Sequence, residues 1–260
     1  MDYFEKYDKN PFEDLKWNIP ERKQGSVAIV GGNGQNFRTV VKIAEWIGGN
    51  YPVESINVVL PDVLKGKLPP VPGLVFLKST ESGSFADTGE LEKAIEQTDC
   101  SLLIGDLSKN AGTAKAVASA CKSSEKPLLI TRDAVDLLID SQPERVLMND
   151  RLIFFASMTQ LQKLFKAVYY PRMLMLSQSL VQVSETLHKF TLSYPVKIVT
   201  LHNEQMLIAE NGKVVAVPLE KTGFSPITVW GGEEAGKIMV YNLYNPNNFM
   251  KATVSALFDN

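Results

Sequence analysis

The sequence predicts a three-layer α/β fold, a mostly parallel sheet with helices on both faces, and three observations carry the prediction. Short, nearly continuous apolar runs recur along the first two thirds of the chain, each ending at Gly, Pro, Ser or Thr. Between them lie stretches with apolar residues at helical spacing. The third observation is size: 260 residues with 45% hydrophobic and 22% charged side chains can bury a substantial core. Strands covered on both faces need apolar side chains on both, so they lose the in-out alternation of a half-exposed strand.

The elements follow in order. A polar lead-in runs to about Gln24, and Ser26-Val27-Ala28-Ile29-Val30 then reads as a strand that ends in Gly31-Gly32-Asn33-Gly34. Phe37, Val40, Val41, Ile43, Ala44 and Ile47 continue it as a helix. Strands are predicted at 56–60, 74–77, 102–104 and 128–130, with helices over 88–98 and 111–123. Beyond residue 150, Leu152–Phe155 reads as a strand, 158–168 as a helix and 173–190 as a longer helix rich in Leu, Met, Val and Ser. Val196–Thr200 is a strand, and 205–210 with 213–217 form a hairpin about Asn211-Gly212, the residue pair favoured in type I′ turns. Ile227-Thr228-Val229-Trp230 reads as a last strand, opening through Gly231-Gly232-Glu233-Glu234-Ala235-Gly236 into a helix to about Tyr244, and a final helix covers 247–258. No repeat or flexible linker interrupts the pattern, so residues 1–25 are read as an N-terminal extension and 26–260 as a single domain.

Composition narrows the function classes. Lys+Arg number 27 against 29 Asp+Glu, a net charge of −2, which provides no basic field for nucleic acid. Cys100 and Cys121 read as buried small apolar residues. With no Cys/His cluster they give neither a disulfide scaffold nor a zinc site. No run of roughly 18 apolar residues offers a membrane span, and the expectation is a cytoplasmic protein. The Met and aromatic residues of 164–176 read as core packing or a subunit interface, which leaves a homo-oligomer open.

In an open parallel sheet, ligands gather at the carboxyl ends of the strands, beside helix N-termini whose free N–H groups favour anions. Gly31, Gly32 and Asn33 follow the first strand but lack both the dinucleotide glycine spacing and the P-loop Lys, so a structural turn is the competing reading. Gly105, Asp106, Ser108, Asn110 and Thr113 form a second loop able to wrap a phosphate, or simply to cap a helix. Ser79–Phe85 is a polar loop with a solvated-turn alternative. Trp230, Gly231, Gly232 and Glu233 offer backbone N–H groups at a helix start, a candidate anion hole. His188 and His202 have no Ser, Cys or Asp partner at motif spacing, and Asp133 and Asp136 read as helix caps.

The order of these motifs resembles the ribokinase-like fold and, within it, the ADP/ATP-dependent NAD(P)H-hydrate dehydratases, over nearly the whole chain from about residue 26. Val27–Asn33 is similar to that family's first strand and Gly-Gly-Ser loop, and Ile104–Leu107 to its Gly-Pro-Gly-Leu-Gly turn. Leu129–Leu138 is similar to its Asp-Ala-Asp-Ala-Leu segment. The functional positions depart from the family. Arg38-Thr39-Val40 stands near its Gly-Ala-Pro, Ser157 in place of a substrate-contacting His, and Leu201-His202 near a nucleotide-side Lys-Gly. Through the shared Ala235-Gly236, the family's Gly-Thr-Gly-Asp aligns with Val229–Gly232, so Gly232 replaces the proton-transferring Asp. Glu233 is one residue on, turned by about 100° around the helix axis. The resemblance thus implies a catalytically degraded relative that binds ATP, ADP or another small ligand. The alternatives are an active dehydratase or small-molecule kinase with a relocated carboxylate, for which Glu233, Glu234, Asp106 or Asp133 would serve, and a structural homo-oligomer.

Overall fold

The computed structural model describes residues 2–13, 19–69, 72–86, 88–141, 143–223, 225–226 and 228–259. Its strands are β1 (Phe4–Lys6), β2 (Ser26–Gly31), β3 (Ser55–Pro61), β4 (Leu74–Leu77), β5 (Cys100–Gly105), β6 (Leu128–Thr131), β7 (Leu152–Phe155), β8 (Lys197–His202), β9 (Gln205–Glu210) and β10 (Lys213–Pro218). The helices are α1 (Arg38–Asn50), α2 (Thr88–Glu96), α3 (Ala111–Ser123), α4 (Asp133–Ile139), α5 (Met158–Ala167), α6 (Leu180–Ser193), α7 (Glu233–Tyr244) and α8 (Phe249–Phe258). All ten strands join one sheet in the order β1-β10-β9-β8-β7-β6-β5-β2-β3-β4. Every pairing from β4 through β8 is parallel, and β8-β9-β10 is antiparallel. The predicted three-layer architecture is therefore the one observed.

The apolar runs divide between two cores by simple alternation. Val27 and Ile29 of β2, Leu129 of β6 and Ile153 and Phe155 of β7 face the layer of α1, α7 and α8. Ala28, Val30, Leu128, Ile130 and Phe154 face the layer of α2 to α6. Both faces of each central strand are dry, which is why these runs read as continuous hydrophobic stretches.

The parallel strands place the site. From β2 the chain proceeds outward through β3 to β4, then returns to β5 on the other side of β2 and proceeds to β8. Connections therefore reverse direction between β2 and β5, the point at which ligands usually bind beside the carboxyl ends of such strands.

The structure departs from the sequence expectation in three places. Residues 228–231 form a 3-10 turn instead of a strand, while Ile227 lies outside the described residues. The β-branched Thr-Val pair has no neighbouring strand to join: Val229 is buried against the α1/α7/α8 layer and its N–H donates to the Ser225 carbonyl. The long helix predicted at 173–190 begins only at Leu180, because Ser179 and Gln182 form a capping box there. Of the apolar stretch before it, Met173, Met175 and Leu176 are exposed, so their hydrophobicity reports no helix face. Finally, the lead-in is not wholly outside the fold, since β1 pairs in parallel with β10.

Two tight turns build the antiparallel part. Asn203-Glu204 and Asn211-Gly212 all have positive φ, as a type I′ turn demands. At Gly212, φ is +77° and an added Cβ would come within 2.7 Å of Leu192 Cδ2. The Leu192 tip can move aside, so the backbone conformation carries most of the cost. Gly212→Ala should therefore lower unfolding stability in urea by about 1–2 kcal/mol, and Gly212→Asn by less, because Asn tolerates the left-handed region.

Candidate functional site

Where β2 and β5 end, their loops touch backbone to backbone. The Gly32 N–H donates to the Gly105 carbonyl at 2.8 Å. A Cβ on Gly31 would lie 2.4 Å from that same oxygen, so only glycine permits the approach. Gly105 itself has φ +100°, and a Cβ there would lie 1.9 Å from Asp133 Oδ1.

Asp133, at the start of α4, explains that crowding. Its two carboxylate oxygens accept the N–H groups of Asp106 at 2.7 Å and Leu107 at 3.0 Å. Burial pushes its pKa up, and the two N–H donors oppose the rise. Beside it, Arg132 has φ 56° and ψ −139°, a conformation usually left to glycine. It is held there by Gln160 Nε2, which donates to the Arg132 carbonyl at 2.6 Å, and by an ion pair between its guanidinium and Asp106 at 2.8 Å.

The remaining polar groups of this rim are likewise engaged with one another. Asn33 Nδ2 donates to the Asp106 carbonyl, and Asn33 Oδ1 accepts the N–H groups of Gln35 and Asn36. Ser108 Oγ donates to the Ser82 carbonyl, and the Asn110 side chain caps α3 by accepting the Thr113 N–H. Thr113 Oγ1 donates to the Phe85 carbonyl. The Gly34 N–H donates to the Gly83 carbonyl, so the polar loop of Ser79–Phe85 belongs to the same lattice. The loops that the sequence singles out lie side by side, and their side chains fasten them to each other.

Across the edge, on the α7 side, the surface is different. The first-turn N–H groups of a helix have no intrahelical acceptor, and the positive end of the helix dipole lies there. At the start of α7, Gly231 is exposed and an added Cβ would meet nothing within 4 Å, whereas Gly232 has φ +108° and its Cβ would lie 2.6 Å from Ile104 Cδ1. Open space therefore adjoins Gly231 and is absent at Gly232. Trp230 packs on Phe155 with ring centroids 5.1 Å apart. Thr131, the last residue of β6, alternates onto the same face as Leu129, and its buried hydroxyl has no partner among the described residues. Sequence reading passed over Thr131 and Phe155 as strand ends; an orphan hydroxyl can be recognised only once its neighbours are known.

The carboxylates near α7 differ in character. Glu233 pairs with Lys42 of α1 at 2.7 Å. Glu234 is buried, one of its oxygens has no partner, and desolvation lifts its pKa to about 7, reinforced by the charge of Glu233. Several sequence candidates have structural duties. Ser157 caps α5 in a capping box with Gln160, and Asp136 accepts from Gln160 and pairs with Lys163 at 2.9 Å. His202 Nε2 lies 2.8 Å from the Gln178 carbonyl, and His188 meets the Gly212 carbonyl while stacking on Tyr3. Cys100 and Cys121 are buried thiols, each pushed up to about 12 by desolvation.

Among the described residues no three His, Cys, Asp or Glu side chains are placed to hold a metal, and no helix is long and apolar enough to cross a membrane. No family model matches the chain, and no curated protein matches its sequence. Solved structures do match its fold. A ribokinase-like superfamily protein of Enterococcus faecalis aligns with 99% of this chain and 86% of its own at 17% identity, with a TM-score of 0.68. Hydroxyethylthiazole kinase of Pyrococcus horikoshii aligns with 94% of this chain and 80% of its own at 13% identity, TM-score 0.57. Bacillus subtilis pyridoxal kinase, solved as an ADP complex, aligns with 91% and 89% at 11% identity, TM-score 0.51. At these identities the likeness is one of fold, and the fold of this chain is ribokinase-like.

Proposed function

We propose that this chain is a small-ligand-binding protein on a kinase-type scaffold, a catalytically degraded relative of the NAD(P)H-hydrate dehydratases. Its ligand is a nucleotide such as ATP or ADP, or a related phosphate-bearing molecule, seated at the α7 side of the sheet's carboxyl edge. The phosphate would lie over Gly231 and the first-turn N–H groups of α7, and Trp230 supplies a ring face for a base. The open space at Gly231 and the orphan hydroxyl of Thr131 suit such a group. One observation carries the loss of catalysis: Gly232, at the position of the resembled family's acidic residue, is in a left-handed conformation with its Cβ direction filled by Ile104. Asp106 and Asp133 do not replace it, since Arg132 holds the first and backbone N–H groups the second.

A second reading has its own support. Glu234 is a buried carboxyl that titrates near neutrality, the range in which a general acid or base works best, and it would be the relocated group of an active dehydratase or kinase.

The test is thermal shift and calorimetry with ATP, ADP, AMP and NAD(P)H, alongside turnover assays. Binding without turnover is expected. Robust turnover that Glu234→Gln or Glu233→Gln abolishes would replace the degraded reading with the second one. The two neighbouring glycines should separate binding from folding. Gly231→Val should leave stability within about 0.5 kcal/mol and weaken nucleotide binding at least tenfold. Gly232→Asp should cost roughly 1–3 kcal/mol and restore no turnover.

Glu234 also sets a pH dependence of stability. Its folded pKa, near 7, lies above the ordinary value of 4.5, so the folded state holds the proton more tightly. The native state is then favoured at low pH and loses that advantage as pH rises through about 4.5 to 7. Glu234→Gln should accordingly raise unfolding stability at pH 8 by an amount on the order of 1–3 kcal/mol, read as a higher melting temperature, and give little gain at pH 4.5.

A further inference from the structure

Away from the sheet's carboxyl edge, a cavity of about 650 Å³ lies between α5 and the segment that follows it. Its walls are Phe165, Tyr169, Tyr170, Met173, Leu174 and Met175, with Lys163, Lys166 and Arg172 among the remaining lining residues and no carboxylate. The volume is that of a small-molecule site, and a largely apolar wall with a few polar groups is the usual make-up of one.

The end of α5 is built in an unexpected way. The Tyr170 N–H donates to the Phe165 carbonyl and the Tyr169 N–H to the Lys166 carbonyl, which is the Schellman pattern. The left-handed residue of that motif is usually glycine, yet here it is Tyr169, with φ 50°. Tyr170 accounts for the internal apolar contact, its ring 5.2 Å from that of Phe165. The Tyr169 ring is 89% exposed and stacks on no other ring among the described residues. A bulky side chain thus occupies a strained position where the fold makes no use of it. Met173 beside it is 75% exposed, and Leu174, whose carbonyl accepts from Gln162 Nε2, turns inward.

The charges set the ligand's polarity. Lys163 is paired with Asp136, Arg172 shares Glu185 with Lys189, and Lys166 has no acid partner among the described residues. The cavity therefore presents the unpaired Lys166, and a net positive charge, beside an aromatic and thioether wall.

We infer that this cavity is a second ligand site, independent of the nucleotide reading, for an amphiphilic monoanion: an aryl or acyl body ending in one carboxylate. The body lies against Tyr169, Tyr170 and the two methionines, and the carboxylate meets Lys166.

Calorimetric titration of the full chain with 4-phenylbutyrate and decanoate tests this, with 4-phenylbutanamide as the neutral control. Saturable binding of the acids is expected, at least fivefold tighter for 4-phenylbutyrate than for its amide. Lys166→Gln should remove most of that preference. Tyr169→Gly is the decisive variant: it should raise the melting temperature, because it relieves the left-handed residue, and still weaken binding at least fivefold. No saturable binding, equal affinity for acid and amide, or unchanged affinity in Tyr169→Gly would each overturn the proposal. So would concentration-dependent dimerisation in sedimentation experiments that Tyr169→Gly abolishes, which would make this face a contact between two copies.

Discussion

The carboxylate of Asp133 is the point on which the carboxyl edge of the sheet depends. By accepting the N–H groups of Asp106 and Leu107, it draws the loop after β5 against the start of α4. That position leaves no room for a Cβ on Gly105, and the Gly105 carbonyl then leaves none on Gly31. Asp106, pulled into place, meets Arg132, whose own strained backbone is fixed from α5 by Gln160. A single half-buried acid thus transmits constraint across three strands. The bonds it makes help repay the desolvation that lifts its pKa.

This arrangement divides the edge into two halves of different character. Around β2 and β5, nearly every polar side chain is already bonded to another loop, so that half behaves as a rigid frame. Around α7, the open flank of Gly231, the unpartnered Thr131 hydroxyl and the Trp230–Phe155 pair leave interaction capacity unspent. Binding groups are most effective when held on a rigid support, and under the proposed function the first half would supply it to the second.

How far the sequence could be read follows from the range of the forces involved. The central strands were legible because burial on both faces leaves a mark in consecutive residues, and Asn211-Gly212 was legible because its turn is specified locally. The start of α6 was missed although its signal, Ser179 followed by Gln182, was present, because the Leu and Met residues before it imitated a helix face. Of the strand expected at 227–230, the described residues from Thr228 on form a 3-10 turn despite their β propensity, a choice that tertiary structure makes. For the candidate site, glycine placement in the sequence pointed to loops that the fold brings side by side. The roles of Asp133 as clasp and Thr131 as orphan depend on neighbours distant in sequence, and Glu233 was separated from Glu234 only by the salt bridge with Lys42.

The parallel pairing of β1 with β10 has a temporal consequence. The two strands are separated by almost the whole chain, so during synthesis β1 emerges first and waits until β10 follows. Contacts of such sequence separation form slowly. Over that interval β10's outer edge, once made, has unpaired N–H and C=O groups, and unpaired edges invite association with other chains. The short segment Phe4–Lys6 thus docks late although it is made early, and it ends this side of the sheet in a strand of 3 residues where β10 alone would present 6.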